Sequence, residues 1–264
     1  MADRFTKMHG LGNDFAIFDA RQVPMAFPAE RVRLLADRRR GIGCDQLIVL
    51  EPSARADLFM RIYNPESSES GACGNATRCV AALVGGSSTI ETAGGVLRTG
   101  AAAGGISVDM GAPEFGWERI PLSYAMDTLD MPVGWDGLDR PAAVSMGNPH
   151  VVFFVADCDS VPLERLGPLI ETDALFPERV NVNVATVEGP GRIRLRVWER
   201  GAGLTLACGT GACATFAAAR RRRLVGDAAV VALPGGELQL GWTAAGTVMM
   251  TGPVATSFTG ETLL

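Results

Sequence analysis

Two cysteines carry the strongest chemical signal in this 264-residue chain. Cys73 lies in Ala72-Cys73-Gly74-Asn75 and Cys208 in Ala207-Cys208-Gly209-Thr210, 135 positions apart. Each precedes a segment that reads as a helix. A thiol at a helix N-terminus feels the positive end of the helix, which favours thiolate and makes a base usable near neutral pH. The small residues Gly74, Gly209 and Gly211 leave backbone N–H groups uncovered there, a ready site for a carboxylate. With one such cysteine on each face of an amino acid's α-carbon, one thiolate removes the α-proton and the opposite thiol delivers another. The centre inverts. No pyridoxal-lysine motif or metal-ligand spacing is evident, so the carbanion must be stabilised by N–H donors on the carboxylate in a closed cleft.

A single cysteine before a helix is more often core filler than catalyst. Duplication at one offset reverses that weighting for Cys73 and Cys208. Nothing reverses it for Cys44, Cys79, Cys158 and Cys213. The same offset links Gly12-Asn13 to Gly147-Asn148, Gln46 to Asn181, and Arg61-Ile62-Tyr63-Asn64 to Arg196-Val197-Trp198-Glu199. We therefore expect two copies of one domain related by a pseudo-twofold axis, with both cysteines facing the cleft between them.

Other candidates are weaker one by one. Asn13, Gln46, Asn64, Asn148 and Asn181 are amides at strand ends or turns; each alone reads as a turn residue, but together they form a wall suited to zwitterionic groups. Glu199 and Arg200 read either as a surface ion pair or as holders of an ammonium and a carboxylate. His150, in Gly147-Asn148-Pro149-His150, reads as a cleft residue or as an ordinary loop histidine. The runs Arg38-Arg39-Arg40 and Arg220 to Arg223 close helices and read as dipole and solvent features.

The elements that must position these groups are short. Strands are expected at residues 5–19 around a Gly10–Asp14 turn, then at Leu47–Leu50, Asp57–Tyr63, Val144–Phe154, Val180–Thr186 and Arg192–Trp198. Helices are expected at Ala29–Arg40, Asn75–Val84, Leu163–Ile170 and Thr210–Arg223, the last stopped by Gly226. The fold class is α+β, and the halves are 1–115 with 252–264, carrying Cys73, and 116–251, carrying Cys208.

Composition bounds the function. A net charge of −5 argues against nucleic acid as the main partner, and 47% hydrophobic with 20% charged residues describes a globular protein. No apolar run approaches the length of a membrane span, and the N-terminus lacks a signal-peptide core, so a cytoplasmic location with reduced thiols is expected.

Six ordered motifs resemble the diaminopimelate epimerase family. They are Met8-His9-Gly10-Leu11-Gly12-Asn13-Asp14-Phe15, Gly41 to Gln46, Ala72 to Asn75, Met146 to His150, Arg179-Val180-Asn181, and Glu199 to Gly211. The resemblance runs from residue 5 to the C-terminus. It implies a cofactor-independent epimerase interconverting LL- and meso-2,6-diaminopimelate in lysine and peptidoglycan-precursor synthesis. It implies Cys73 as proton donor and Cys208 as acceptor, with His150 and Glu199 important for activity. Substrate contacts carry over to Asn13, Gln46, Asn64, Gly74, Asn75, Asn148, Asn181, Glu199, Arg200, Gly209 and Thr210. The family fold has two halves of mixed strands, each wrapped around a central helix, and homodimers are usual. This chain departs at Pro65-Glu66-Ser67-Ser68-Glu69, where Ala-Asp-Gly-Ser-Glu is commoner, and at Ala76, where glycine is frequent. The nearest alternative is a related amino-acid racemase with the same two-thiol mechanism. A non-catalytic amino-acid binding module is another, as is a dinucleotide-binding protein, suggested by Gly209-Thr210-Gly211-Ala212-Cys213-Ala214 but without evident βαβ context.

Overall fold

The computed structural model describes residues 2–264, so Met1 of the expected N-terminal half lies outside the described residues. The chain divides into two compact units, Met1–Asp109 with Thr251–Leu264, and Met110–Met250.

The first unit contains β1 (Asp3–Gly10), β2 (Asn13–Asp19), α1 (Ala29–Ala36), β3 (Gln46–Glu51), β4 (Leu58–Tyr63), α2 (Gly74–Leu83), β5 (Thr89–Thr92), β6 (Gly95–Ala102) and β7 (Gly105–Asp109). The last strand of the chain, β18 (Ala255–Thr262), returns to pair antiparallel with β1. β1 and β2 form a hairpin closed by Leu11 and Gly12, both at positive φ (57° and 87°). That pair of left-handed residues matches the twist of the strands it joins. Side chains of β2 and β3 alternate between two cores: Phe15, Ile17 and Ile48 pack with Cys79, Val80 and Ala81 of α2. Ala16, Phe18, Leu47 and Val49 pack with Leu35 and Ala36 of α1. Strands buried on both faces read as near-continuous apolar runs, as these do.

The second unit contains a short hairpin of β8 (Gly134–Trp135) and β9 (Leu138–Asp139), then β10 (Ala142–Ser145), β11 (Pro149–Phe154), α3 (Leu163–Glu171), β12 (Asn181–Gly189), β13 (Arg192–Glu199), β14 (Gly203–Thr205), α4 (Gly209–Arg221), β15 (Ala228–Leu233) and β16 (Gly236–Trp242), and the chain passes back to the first unit within β17 (Val248–Gly252). α3 covers one face of this sheet, with Leu163, Leu166 and Ile170 packed on Val151, Phe153, Val182 and Val184. The contact is close: a methyl group at Gly167 would sit 2.4 Å from the Trp198 ring.

The two units repeat the same connectivity. β2 pairs parallel with β3 and β11 with β12, with Phe15 opposite Gln46 and His150 opposite Asn181. β3 pairs antiparallel with β4 and β12 with β13, with Ile48 opposite Ile62 and Asn183 opposite Val197. Each of these partners is displaced by 135 from its counterpart, so the spacing seen in the sequence is also a register. Then β4 runs parallel to β5, and β13 to β15, each crossing over through one helix. The offset changes after that helix: Leu58 lies opposite Ile90 and Ile193 opposite Val231, and the longer α4, with 13 residues against 10 in α2, supplies part of the difference. Both helices are buried almost throughout, eight consecutive residues from Gly74 to Ala81 in α2 and nine from Gly211 to Ala219 in α4. A helix buried on all sides must be surrounded, and here its own unit's strands surround it, covering Asn75, Thr77 and Arg78 of α2 along with the apolar side chains. The class is α+β, with mixed strands around a central helix.

Several local expectations change. The sequence placed one strand over Val144–Phe154; the chain turns at Met146–Asn148, with Gly147 at φ 87°, and makes a hairpin. The helix expected to reach Arg40 ends at Ala36, because the Asp37 carboxylate accepts the N–H groups of Arg39 and Arg40 and starts a separate turn. α4 is stopped by Arg223, which takes φ 61° while Leu224 N–H bonds Ala219 O, and Gly226 lies beyond. Gly85 makes the corresponding stop for α2, as expected. The arginine runs are not mere dipole features. Arg38 bridges Asp14 and Asp45, Arg220 stacks over Trp242, and Arg222 donates to the carbonyls of Leu129 and Arg140. The β13–α4–β15 crossover is a βαβ unit, which corrects the expectation that the glycine pattern lacks one. The first unit builds the same crossover around Cys73-Gly74-Asn75 with no glycine triplet, so the pattern is not what the crossover requires.

Candidate active site

In each unit the N-cap cysteine of the central helix stands beside at least one of the expected amides, Asn13 in the first and, through Thr210, Asn148 in the second. In the first, Cys73 is the N-cap of α2, and Gly74 and Asn75 form its first turn. Asn13 begins β2, Gln46 begins β3 and Asn64 follows β4, so three neighbouring strand ends deliver amides. Asn75 Nδ2 donates to Asn13 Oδ1 at 3.1 Å, and the Cys73 thiol faces the same oxygen at 4.0 Å. Asn13 Nδ2 donates to Asp45 Oδ2 at 2.9 Å. Gln46 Nε2 donates to Asn64 Oδ1 at 3.0 Å, and Asn64 Nδ2 to Ser68 Oγ at 2.9 Å. The departing Pro65–Glu69 loop therefore holds Asn64 through its serine.

Beneath this cluster lies an ion network. Lys7 Nζ meets Asp14 at 2.7 Å and also donates to Gly43 O, and Arg38 binds both Asp14 and Asp45. Burial opposes charge on Asp14, but hydrogen bonds from Arg38 and Lys7 hold its carboxyl well below the usual carboxylate range.

In the second unit Cys208 is the N-cap of α4, and its sulfur accepts the Gly211 N–H at 3.4 Å. Thr210 Oγ1 lies 3.6 Å from that sulfur and accepts from Asn148 Nδ2 at 3.3 Å. A methyl group at Gly211 would stand 2.6 Å from Asn183 Oδ1 and 3.3 Å from the Cys208 sulfur, so glycine there permits the close approach. Glu199, at the end of β13, accepts from Thr205 Oγ1 at 2.6 Å. Arg200 donates from Nη1 to Glu178 O. Asn181 spends both ends of its amide on backbone, donating to Pro149 O and accepting from Arg200 N–H. It fixes the turn that carries Glu199 and Arg200.

The thiolate expected at both helix starts is not what the environment of Cys208 favours. Cys208 is 4% exposed. Burial raises its thiol well above the ordinary range, the Glu199 carboxylate adds to that, and Thr210 and Gly211 offset it only in part. Desolvation of a full charge outweighs a helix terminus. Cys73, by contrast, is partly exposed. Cys44, Cys79, Cys158 and Cys213 are buried, as expected of packing residues, and burial pushes the Cys79 thiol up to about 12.

His150 is buried, bonded through Nε2 to Asn148 Oδ1 at 2.9 Å and through Nδ1 to Asn183 Nδ2 at 3.2 Å. Burial, then the Arg200 charge, lowers its pKa to about 3, so it is neutral and orients Asn148. An unfolded-state histidine titrates near 6.5 and the folded one far lower, so this contribution is complete above pH 6.5 and declines as pH falls towards 3. The slope approaches about 1.4 kcal/mol per pH unit. Urea unfolding at pH 7 and pH 5 is expected to show wild type losing roughly 2 kcal/mol, and His150→Leu losing clearly less between the same pH values.

Asn183 and Asp45 are functional neighbours that motif reading missed. A signal for Asn183 was present: in the strand Asn181-Val182-Asn183-Val184 it shares a face with Asn181 and interrupts an apolar run. The groove of about 460 Å³ lined by Phe5, Ile17 and Leu83, among others, includes none of the expected site residues.

The sequence model of the family described as diaminopimelate epimerase matches residues 5–116 and 142–257. The chain is 58% identical to a diaminopimelate epimerase of Sphingopyxis alaskensis over 262 residues, covering 99% of this chain and 98% of that one. It is 60% identical to that of Erythrobacter litoralis over 257 residues, covering 97% and 96%. Among solved structures, a phenazine biosynthesis protein of the PhzF family from Bacillus anthracis superposes with a TM-score of 0.72 at 18% identity, covering all of both chains. A hydroxyproline epimerase from Agrobacterium vitis, with trans-4-hydroxy-L-proline bound, gives 0.69 at 17% identity, covering 98% of this chain and 92% of that one. These two likenesses concern the fold. With near full-length identity of this order and a matched family sequence, the chain belongs to the diaminopimelate epimerase family.

Proposed function

We propose that this protein is an isomerase that interconverts LL- and meso-2,6-diaminopimelate with Cys73 and Cys208 as its two acid–base groups. The observation that carries the reading is the equivalent placement of both cysteines as N-caps of equivalent buried helices. N–H groups of the first turns of α2 and α4 hold the α-carboxylate and stabilise it as it gains enolate character. Cys208 takes the α-proton from one face, and Cys73 delivers its proton to the other. The reverse reaction exchanges the roles. No cofactor is required by this scheme.

The high pKa of Cys208 fits a base that is switched on by substrate. Glu199 is one of the groups that keep its proton in place. An α-ammonium beside Glu199 cancels that negative field, and the thiol becomes easier to ionise when the acidic C–H is present. Arg200 and the amides Asn13, Gln46, Asn64, Asn148 and Asn181 recognise or orient the two amino-acid ends of the substrate, together with Gly74, Asn75, Gly209 and Thr210. His150 acts through Asn148.

A related racemase with the same mechanism would prefer an amino acid with a single zwitterionic group. Assay of diaminopimelate beside proline, hydroxyproline, glutamate and lysine separates the two readings. We expect turnover of diaminopimelate alone; faster turnover of another member would replace the substrate assignment. The thiol state of all six cysteines suits a cytoplasmic location, and no helix of the described residues is long and apolar enough to cross a membrane. We also propose a homodimer. The terminal strand β18 exposes Phe258, and Leu83 borders the groove beside it. A sedimentation mass near 27.8 kDa would count against it.

A further inference from the structure

α3 ends on a residue that helix stability does not call for. Glu171 is its last helical position, where the negative end of the helix disfavours a carboxylate, and no basic side chain occupies that turn. The side chain is also buried, with the residue only 6% exposed. In the first unit the position 135 earlier is Ala36, the last residue of α1, so the repeated fold is built without an acid there. Local rules broken at one residue are expected where a protein has a task for it.

The partners of Glu171 define that task. Its Oε2 accepts the Trp198 Nε1–H at 2.7 Å and its Oε1 accepts the Gly201 N–H at 2.9 Å, with Arg179 Nη1 3.6 Å from the same oxygen. Trp198 comes just before Glu199 and Gly201 just after Arg200, so one buried carboxylate brackets both charged residues. Between the two anchors the chain makes a turn, closed by the Ala202 N–H on Glu199 O, with Gly201 at φ 76°. The Trp198 ring is itself wedged. A methyl group at Gly167, one helical turn before Glu171 on the same face of α3, would meet it at 2.4 Å, and one at Gly203 at 3.5 Å. The first unit carries neutral residues, Asn64 and Pro65, at the positions equivalent to Glu199 and Arg200, and Asn64 is tied by Gln46 and Ser68 instead.

We propose that Glu171 is a positioning residue for substrate binding, which holds the Glu199–Arg200 turn in the shape that meets the substrate's charged groups before substrate arrives. The part that concerns substrate rests on the epimerase reading; the hold on the turn does not. Both partners are donors, and only a carboxylate accepts at both ends. An amide has one accepting end, so glutamine at this position must set an NH₂ group against either the indole or the Gly201 N–H. The Arg200 N–H keeps Asn181 Oδ1 at 3.0 Å, so the turn loosens without being lost.

Steady-state kinetics of the intact Glu171→Gln protein test the proposal. KM for diaminopimelate should rise about tenfold, on the scale of one lost charge-assisted hydrogen bond, while kcat changes less than about threefold. A purely structural role would lower the folded fraction, reducing apparent kcat and leaving KM unmoved, and that result overturns the proposal. Trp198→Phe then removes the donor that glutamine leaves unsatisfied. In Glu171→Gln/Trp198→Phe the amide oxygen serves Gly201, and KM should fall back to within about threefold of Trp198→Phe alone. A KM as high as that of Glu171→Gln, or higher, overturns the proposal. The hold is also read without substrate. In Glu171→Gln the Trp198 indole and Gly201 amide protons should both resonate further upfield, since one loses its acceptor and the other keeps only a neutral one. The indole signal is identified by its loss in Trp198→Phe, and unmoved resonances overturn the hold. A wild type that fails to turn over diaminopimelate would remove the reaction, while these resonances decide the hold on their own.

Discussion

Cys73→Ser and Cys208→Ser are each expected to lower the rate of epimerisation roughly a thousandfold or more, with secondary structure and melting temperature little changed. A serine hydroxyl is nearly isosteric with the thiol but too weak an acid to form a useful anion at neutral pH. The effect should appear in both reaction directions for each variant, because the group that takes a proton one way must give it the other way. Cys208→Ser keeps an acceptor for the Gly211 N–H that now meets sulfur at 3.4 Å, so its loss of activity cannot be assigned to a broken helix cap. Substrate affinity should fall little. A loss confined to Cys73→Ser, with Cys208→Ser active, would reduce the mechanism to one base and make Cys208 a packing residue like Cys213.

Gly41→Ala is expected to destabilise the protein by about 3 kcal/mol and to impair turnover in the fraction that remains folded. An added methyl group at Gly41 would lie 1.9 Å from Leu34 O and 2.7 Å from Leu35 O, both backbone atoms at the end of α1. Flexible side chains can retreat from such a contact, but the carbonyls of a packed helix cannot. The loop itself is tied to that helix end, with the N–H groups of Ile42 and Gly43 bonded to Leu35 O. Moving it displaces Asp45 and Gln46, which hold Asn13 and Asn64. Chemical denaturation measures the stability loss, and the KM for diaminopimelate should rise with it. An unchanged unfolding midpoint would mean that α1 can shift at no cost.

How much of this could be seen in the sequence follows from which features are local. The cysteines at helix starts, the glycine turns and the shared offset are local in each copy, and the offset survives in the strand registers of Phe15 with Gln46 and His150 with Asn181. The parallel crossovers were missed because strand direction depends on where a chain returns, which no short window of residues records. The break at Met146–Asn148 was missed because apolar residues on both sides read as one run. The state of Cys208 was misjudged for a different reason. Its position before a helix is written in the sequence, while its burial and its distance from Glu199 are properties of the packed unit, and these two decide its proton. Arg38 reads as a solvent residue in the sequence because its partner Asp14 comes from another segment and Asp45 meets it only once the loop after α1 has folded.

The central claim, that two thiols work on one carbon from opposite sides, is tested most directly by converting LL-diaminopimelate in heavy water and stopping the reaction early. Newly formed meso isomer should carry one deuterium at the inverted carbon, while the LL isomer that remains carries almost none. Product that retains its original hydrogen, or unconverted LL substrate that gains deuterium as fast as product forms, would mean that one group handles the proton alone.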